Sequence, residues 1–144
     1  MKPFSMEPVL RFRQQLEDEA RQKLFTSKKK ESEISRQLEN AQNTFADLFN
    51  NFEREKKEGT TIDRLLLYEN RILLNREELA ELQKKLADQQ KEVARRRRRL
   101  LQASQEKKAL EKLKEKQNLA YKQYKERQEA AMLDEIAVLR HGRQ

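Results

Sequence analysis

The sequence predicts an all-α fold: two long helices in an antiparallel coiled-coil hairpin with a C-terminal helical overhang. The 144 residues are 40% charged, 35% hydrophobic and only 6% aromatic, a composition typical of coiled coils rather than of globular cores. Residues that can break a helix are rare, and apolar side chains recur in heptad stripes on both sides of one central break. We therefore expect a single coiled-coil domain over residues 1–144.

Helix-breaking residues occur at four positions only. Pro3 and Pro8 lie near the start, Gly142 lies near the end, and Gly59 is the one internal break. This punctuation predicts a helix over about 6–58, a turn over about 59–61 and a helix over about 62–140. Gly59 suits the C-terminal cap of the first helix, and Thr60 is the expected N-cap of the second.

The first helix carries an apolar stripe with steps of three and four residues. Such spacing places side chains on one face, where they can pack against a second helix. The stripe is Ile34, Leu38, Ala41, Phe45, Leu48 and Phe52, and a slipped upstream continuation is Val9, Phe12, Leu16, Ala20 and Leu24.

The second helix carries a matching stripe that polar residues interrupt. Its apolar members recur every seven residues: Leu65, Ile72, Leu79, Leu86, Val93 and Leu100. The same register places Asn75, Gln89, Arg96 and Lys107 on the seam. After Leu110 the phase is expected to shift, so that the stripe continues through Leu113, Ala120, Tyr124 and Ala131.

The two helices are unequal in length, so part of the second has no partner. The first helix is long enough to cover the second only to about residue 110. The expected overhang contains Tyr121, Tyr124, Met132, Leu133, Ile136 and Leu139. An uncovered apolar stretch favours a binding partner, with fraying or self-association as the alternatives.

The residue types argue against catalysis. The chain has two glycines, one histidine (His141) and no cysteine, so a glycine-rich phosphate loop, a histidine-based triad and a thiolate metal site are not expected. We predict no enzyme activity, no catalytic, cofactor-binding or metal-binding residue, and no small-molecule substrate.

Positive charge is concentrated in the middle of the second helix. Residues 91–116 hold 11 basic and 4 acidic side chains, and Arg95–Arg99 are five consecutive arginines. Five consecutive helical residues encircle the helix, so this arginine run cannot face one partner only. Arg96 falls on the seam and is expected to reach acids near Glu17–Glu19. The run is compatible with an acidic protein partner, with a nucleic acid, or with a solvated face.

The order of several motifs resembles the FliJ family of flagellar export proteins, which are related to the YscO-type stalks of virulence secretion systems. The motifs are Pro3-Phe4-Ser5-Met6-Glu7-Pro8-Val9-Leu10-Arg11, then Glu106-Lys107-Lys108-Ala109-Leu110-Glu111-Lys112-Leu113-Lys114-Glu115-Lys116, then Tyr121 and Leu133-Asp134-Glu135-Ile136-Ala137. The resemblance implies a non-enzymatic stalk and escort of the type III protein export apparatus. It also implies a cytoplasmic location, peripherally associated with the inner membrane at the flagellar base.

The resemblance also implies partners. These are the hexameric ring of the export ATPase FliI, the export gate protein FlhA, and export chaperones. For the ATPase ring we expect contacts from Arg95, Arg97, Arg98 and Arg99. For the gate, the spacing of four, seven and eleven residues near the start of the second helix is matched by Tyr68, Ile72, Asn75 and Leu79. These four also lie on the predicted seam, so a role in the core is the alternative.

Three other functions remain open at this stage. One is a virulence type III secretion stalk, and another is a basic coiled coil that binds RNA or DNA, which strong salt dependence of nucleic-acid affinity would support. The third is a structural coiled coil that dimerises end to end through its overhang, which sedimentation as a monomer would contradict.

Overall fold

A computed structural model describes residues 4–142, and within that range every regular element is a helix. Helix α1 spans Glu7–Glu58, 52 residues, and helix α2 spans Ile62–Gly142, 81 residues. The two helices pack against each other as an antiparallel hairpin, which confirms the predicted fold class. No helix within residues 4–142 combines the length and the apolar character that crossing a membrane requires.

Gly59, Thr60 and Thr61 connect the two helices. The Gly59 N–H donates to the carbonyl of Glu55 at 2.9 Å, and Gly59 has φ of +86°. This left-handed conformation is the usual end of an α-helix, and glycine adopts it without a steric penalty. The N-cap of α2 is Thr61 rather than the expected Thr60, because the Thr61 hydroxyl accepts the Arg64 N–H at 3.3 Å. Thr60 instead donates its hydroxyl to Glu55.

The inter-helix contacts fall into two units, and residues 21–99 form one of them. Here the apolar seam behaves as the heptads predict. The buried apolar side chains are Leu24, Ala41 and Phe52 of α1 and Ile72, Leu82 and Val93 of α2. Because successive residues on one face are three or four apart, each turn of α1 presents a side chain to α2.

Residues 4–20 with residues 100–142 form the other unit, in which ion pairs between the helices lie among half-buried apolar side chains. Arg13 pairs with Glu106 at 2.6 Å, and Lys114 pairs with Glu7 at 3.0 Å. Glu17 is 4% exposed and accepts a hydrogen bond from Lys107 Nζ at 3.2 Å. Ion pairs and half-buried aliphatic side chains therefore take the place that fully buried apolar residues have in residues 21–99.

This ionic interface explains two errors in the predicted stripes. Val9 and Phe12 are 39% and 56% exposed, because the face of α1 that meets α2 there carries Leu10, Arg13 and Glu17 instead. The rest of the predicted upstream stripe is correct, since Leu16 and Ala20 are half-buried and Leu24 is buried.

The phase shift after Leu110 is the second error. The covered face of α2 continues without a shift through Lys114, Gln117 and Tyr121, whereas Leu113 is 37% exposed. From residue 122 to residue 142 every described side chain is exposed. This segment is the helical overhang that the sequence predicts.

Candidate interaction surfaces

The arginine run Arg95–Arg99 lies on α2 and divides into a neutralised part and a free part. Arg95 and Arg96 both pair with Glu92, one turn earlier in the same helix, Arg96 through its Nε at 2.7 Å. The expected reach of Arg96 toward Glu17–Glu19 is therefore replaced by a local pair. Arg97, Arg98 and Arg99 are exposed, and within residues 4–142 no acidic side chain pairs with them.

This division follows from helix geometry. Residues three and four apart are neighbours on a helix, so Glu92 reaches positions 95 and 96 but not positions 97–99. The next acid in the sequence after Glu92 is Glu106, which pairs with Arg13. Three adjacent unpaired guanidinium groups are suited to carboxylate partners, which they can bind through two parallel hydrogen bonds.

The four residues predicted for the gate contact, which we call the seam quartet, lie on the side of α2 that packs against α1. Ile72 and Asn75 are 8% and 6% exposed, and Tyr68 and Leu79 are half-buried. The Tyr68 ring packs on Phe52 with the ring centroids 5.9 Å apart. The quartet therefore contributes to the hairpin core. Whether it also contacts a gate stays a prediction.

An exposed apolar surface lies beside the seam quartet. Phe45 and Phe49 of α1 stack with centroids 6.2 Å apart, and the Arg76 guanidinium of α2 lies 5.7 Å from the Phe45 ring centroid. Leu66 and Leu73 of α2 are seven residues apart, so they share one side of that helix. Phe49, Leu66 and Leu73 are 45%, 57% and 55% exposed. We call this set (Phe45, Phe49, Leu66 and Leu73) the apolar face.

The apolar face was not predicted from the sequence, because Leu66 and Leu73 lie outside the heptad stripe. A signal was present: Leu65-Leu66-Leu67 and Leu73-Leu74 hold more apolar side chains than one seam can bury. Leucines in excess of the seam must lie on solvent-exposed faces, and such patches mark binding surfaces.

Two amides of α2 form polar layers inside the seam. Gln89 Nε2 donates to the carbonyl of Ser27 at 3.0 Å, and Asn75 Nδ2 donates to the carbonyl of Ala41 at 3.4 Å. Asn75 Oδ1 is buried and has no hydrogen-bond partner. Buried amides lower the stability of a coiled coil but fix its register, since other registers leave more polar atoms unsatisfied.

Glu55 joins the end of α1 to the start of α2. Its carboxylate accepts two hydrogen bonds from the Arg64 guanidinium, one from the Thr60 hydroxyl at 3.3 Å and one from the Tyr68 hydroxyl at 3.5 Å. The hydrogen bonds from Arg64 are the main cause that lowers the pKa of Glu55 below its usual value, and they raise the pKa of Arg64. Glu55 thereby fixes the hairpin turn next to the apolar face.

Comparison with protein families gives one match over the whole length of the chain. The model of the family described as "Flagellar FliJ protein" matches residues 1–144. A comparison with curated protein sequences gives no significant match. Among solved structures, a chain described as a YscO homologue, CT670 from Chlamydia trachomatis, is similar at 23% identity and a TM-score of 0.47. That match covers 98% of this chain and 96% of the other.

Proposed function

Because this chain belongs to the FliJ family of flagellar proteins, we propose that it is a stalk and escort of the flagellar type III export apparatus. In this role it binds the ring of the export ATPase FliI, the export gate FlhA and export chaperones, and it catalyses no reaction itself. It acts in the cytoplasm and associates with the inner membrane only through the gate. The observation that carries the proposal is the match of the family model to all 144 residues.

The ATPase ring contact uses the unpaired part of the arginine run. Arg97, Arg98 and Arg99 are exposed, and no acid among residues 4–142 pairs with them, so no ion pair with the described part of the chain must break before they bind carboxylates. Arg95 shares Glu92 with Arg96 and contributes less for that reason. The physical requirement on the ring is an acidic surface, since Coulomb attraction both steers association and fixes the register of the contact.

The test is charge reversal within the run. We expect Arg97→Glu, Arg98→Glu and Arg99→Glu together to weaken binding to FliI about a hundredfold, at about 1 kcal/mol per reversed charge, and to reduce its ATPase stimulation. A matched control reverses three exposed lysines elsewhere on α2: Lys84, Lys112 and Lys116. Equal binding by the arginine variant and the wild type, with helicity unchanged, would exclude the ring contact.

The gate contact uses the surface around the seam quartet. Direct docking of Ile72 and Asn75 requires α1 and α2 to separate there, because both side chains are buried. The apolar face requires no such opening, since Phe49, Leu66 and Leu73 are already exposed. We therefore place the first contact with the gate on the apolar face, with the seam quartet as the set exposed by any later opening.

Matched leucine pairs separate the two surfaces. Leu66→Ser with Leu73→Ser is expected to weaken gate binding while leaving the free energy of unfolding within about 0.5 kcal/mol, as for other exposed sites. Leu67→Ser with Leu74→Ser is the control. These leucines have the same seven-residue spacing and comparable exposure, 49% and 56%, but lie about 100° further around α2.

The seam quartet is tested by Tyr68→Ala and Ile72→Ala. Loss of gate binding with unchanged helicity supports direct docking of the quartet, and loss of both supports a core role. If both leucine pairs bind the gate as well as the wild type does, the apolar face is not the gate surface.

A further inference from the structure

Exposed lysines are also present on the part of α1 that faces the middle of α2. Residues 21–30 hold five basic side chains and no acidic one. Lys28, Lys29 and Lys30 are exposed, and within residues 4–142 no acid pairs with them. The hydrogen bond from Gln89 to Ser27 shows that this segment lies beside α2 shortly before the arginine run.

The cations of the two helices lie on a common side. A surface depression between the helices is lined by Lys28, Ser32 and Arg36 of α1 and by Leu86 and Gln90 of α2, among others. Arg97 follows Gln90 by seven residues, two turns further along the same side of α2. Lys28, Arg36 and Arg97 thus border one continuous side of the hairpin within residues 21–99.

An aromatic side chain stands among these cations. Phe25 is 63% exposed, and together with Lys28, Lys29, Ser32, Glu33 and Arg36 it lines a surface depression of about 530 Å³ on α1, so three cations and one acid surround the ring. Phe25 lies roughly 100° from the buried Leu24, so the hairpin seam does not use it. An exposed phenylalanine surrounded by charged side chains resembles the centre of a protein–protein interface, where an apolar anchor lies within a polar rim.

We propose that Phe25, Lys28, Lys29 and Arg36 of α1 form, together with Arg97 of α2, one docking site for an acidic protein segment that carries an apolar side chain. The carboxylates of that segment meet the cations of both helices, and its apolar side chain packs on Phe25. This inference rests on the proposed ring contact and extends it from α2 to α1, so the segment belongs to the ATPase ring.

An acidic polypeptide fits this side better than a nucleic acid does. Glu31 and Glu39 line the same inter-helix depression and would repel a continuous row of phosphates. Proteins that bind single strands stack successive bases on several aromatic side chains, whereas Phe25 is the one aromatic residue in 21–36. An acidic segment of protein also contains uncharged residues, and these can lie opposite Glu31 and Glu39, so that its carboxylates are not repelled there.

The experiment measures the affinity of purified full-length variants for FliI at several salt concentrations. Phe25→Ala and, separately, Lys28→Glu with Lys29→Glu are each expected to weaken binding about tenfold, as for the loss of an interface anchor or of two charge contacts. The lysine variant is also expected to show a shallower salt dependence, because fewer ionic contacts remain to be screened.

Matched controls change the same residue types elsewhere. Phe12→Ala removes an exposed phenylalanine of α1, 56% exposed, outside the site. Lys84→Glu with Lys112→Glu gives the same change in net charge. Both controls should bind FliI as the wild type does, and circular dichroism checks that every variant keeps its helices.

Each other outcome has a distinct meaning. If reversal of Arg97–Arg99 weakens binding but the α1 variants do not, the docking site on α1 is wrong and the ring contact stands. If neither set has an effect, the ring contact fails together with this inference. If the α1 variants bind FliI normally but lose affinity for a single-stranded oligonucleotide, the site binds nucleic acid and the inference is overturned.

Discussion

Replacing Asn75 by leucine should stabilise the hairpin, because the structure leaves one of the Asn75 polar atoms buried and unsatisfied. Asn75 is 6% exposed, Oδ1 has no partner, and Nδ2 donates only one hydrogen bond, at the long distance of 3.4 Å. Removing the unsatisfied oxygen should raise the free energy of unfolding by about 1–3 kcal/mol. Losing the weak hydrogen bond should lower it by about 0.5 kcal/mol. The carbonyl of Ala41 lies within α1, so it keeps its helical hydrogen bond when the amide is removed.

Burying the apolar leucine side chain raises the free energy of unfolding further, whereas imperfect packing of that side chain lowers it. A buried leucine contributes about 1.5–3 kcal/mol, and a side chain of different shape in a packed seam costs up to about 1.5 kcal/mol. The net expectation for Asn75→Leu is an increase of about 2 kcal/mol in the free energy of unfolding, measured by urea denaturation followed at 222 nm. The slope of that transition should stay unchanged.

Gln89→Leu is the matched control, since Gln89 is a second buried amide of the same seam. Its Nε2 makes a shorter hydrogen bond, 3.0 Å, to the carbonyl of Ser27, and its side chain has no buried unsatisfied atom. Gln89→Leu should therefore raise the free energy of unfolding by less than Asn75→Leu does. If Asn75→Leu is no more stable than the wild type, or if Gln89→Leu gains more, the reasoning from the unsatisfied oxygen is refuted.

Four further predictions concern the turn, the ionic interface and the overhang. Gly59→Ala should lower the free energy of unfolding by about 1 kcal/mol, because φ of +86° strains any residue with a Cβ; thermal unfolding measures this. The pKa of Glu55 is lowered in the folded state, so its stabilisation is present at neutral pH and is lost as the pH falls through the folded pKa. Unfolding midpoints between pH 7 and pH 3 should therefore fall more steeply in the wild type than in Glu55→Gln. Lys107→Ala should lower the free energy of unfolding by about 2 kcal/mol, since the buried Glu17 loses one charged hydrogen-bond donor; a change under about 0.5 kcal/mol in urea denaturation would contradict this. A chain that ends after Tyr121 should keep the urea midpoint of the full chain, because residues 122–142 are exposed throughout; a lower midpoint would show that the overhang packs on the hairpin.

The sequence predicted the fold correctly where the seam is apolar. From Ile34 to Phe52 the steps of three and four identify the buried face of α1, because packing against a helix requires apolar side chains at that period. It was wrong at Val9 and Phe12, where the covered face contains Arg13 and Glu17. Hydrophobic periodicity does not detect the charged members of a seam, here Arg13 and Glu17, which pair with Glu106 and Lys107.

The candidate sites were predicted only in part. The arginine run is evident in the sequence; Arg95 and Arg97–Arg99 are exposed, and Arg96 is half-buried at the seam. That Glu92 neutralises Arg95 and Arg96 but not Arg97 could have been read from the i to i+4 spacing. The apolar face could not, because the exposure of Phe49 on α1 and of Leu66 on α2 depends on which side of each helix the other one covers.

By itself, the sequence determined that this protein is a pair of helices, since Gly59 is the only break between two long stretches with helical periodicity. The tertiary structure alone decided which side chains of one helix lie opposite those of the other. The reason is that every turn of a helix offers an equivalent position, so one helix does not specify its register against its partner. That register buries Glu17 beside Lys107 and brings Lys28 of α1 to the same surface depression as Gln90 of α2.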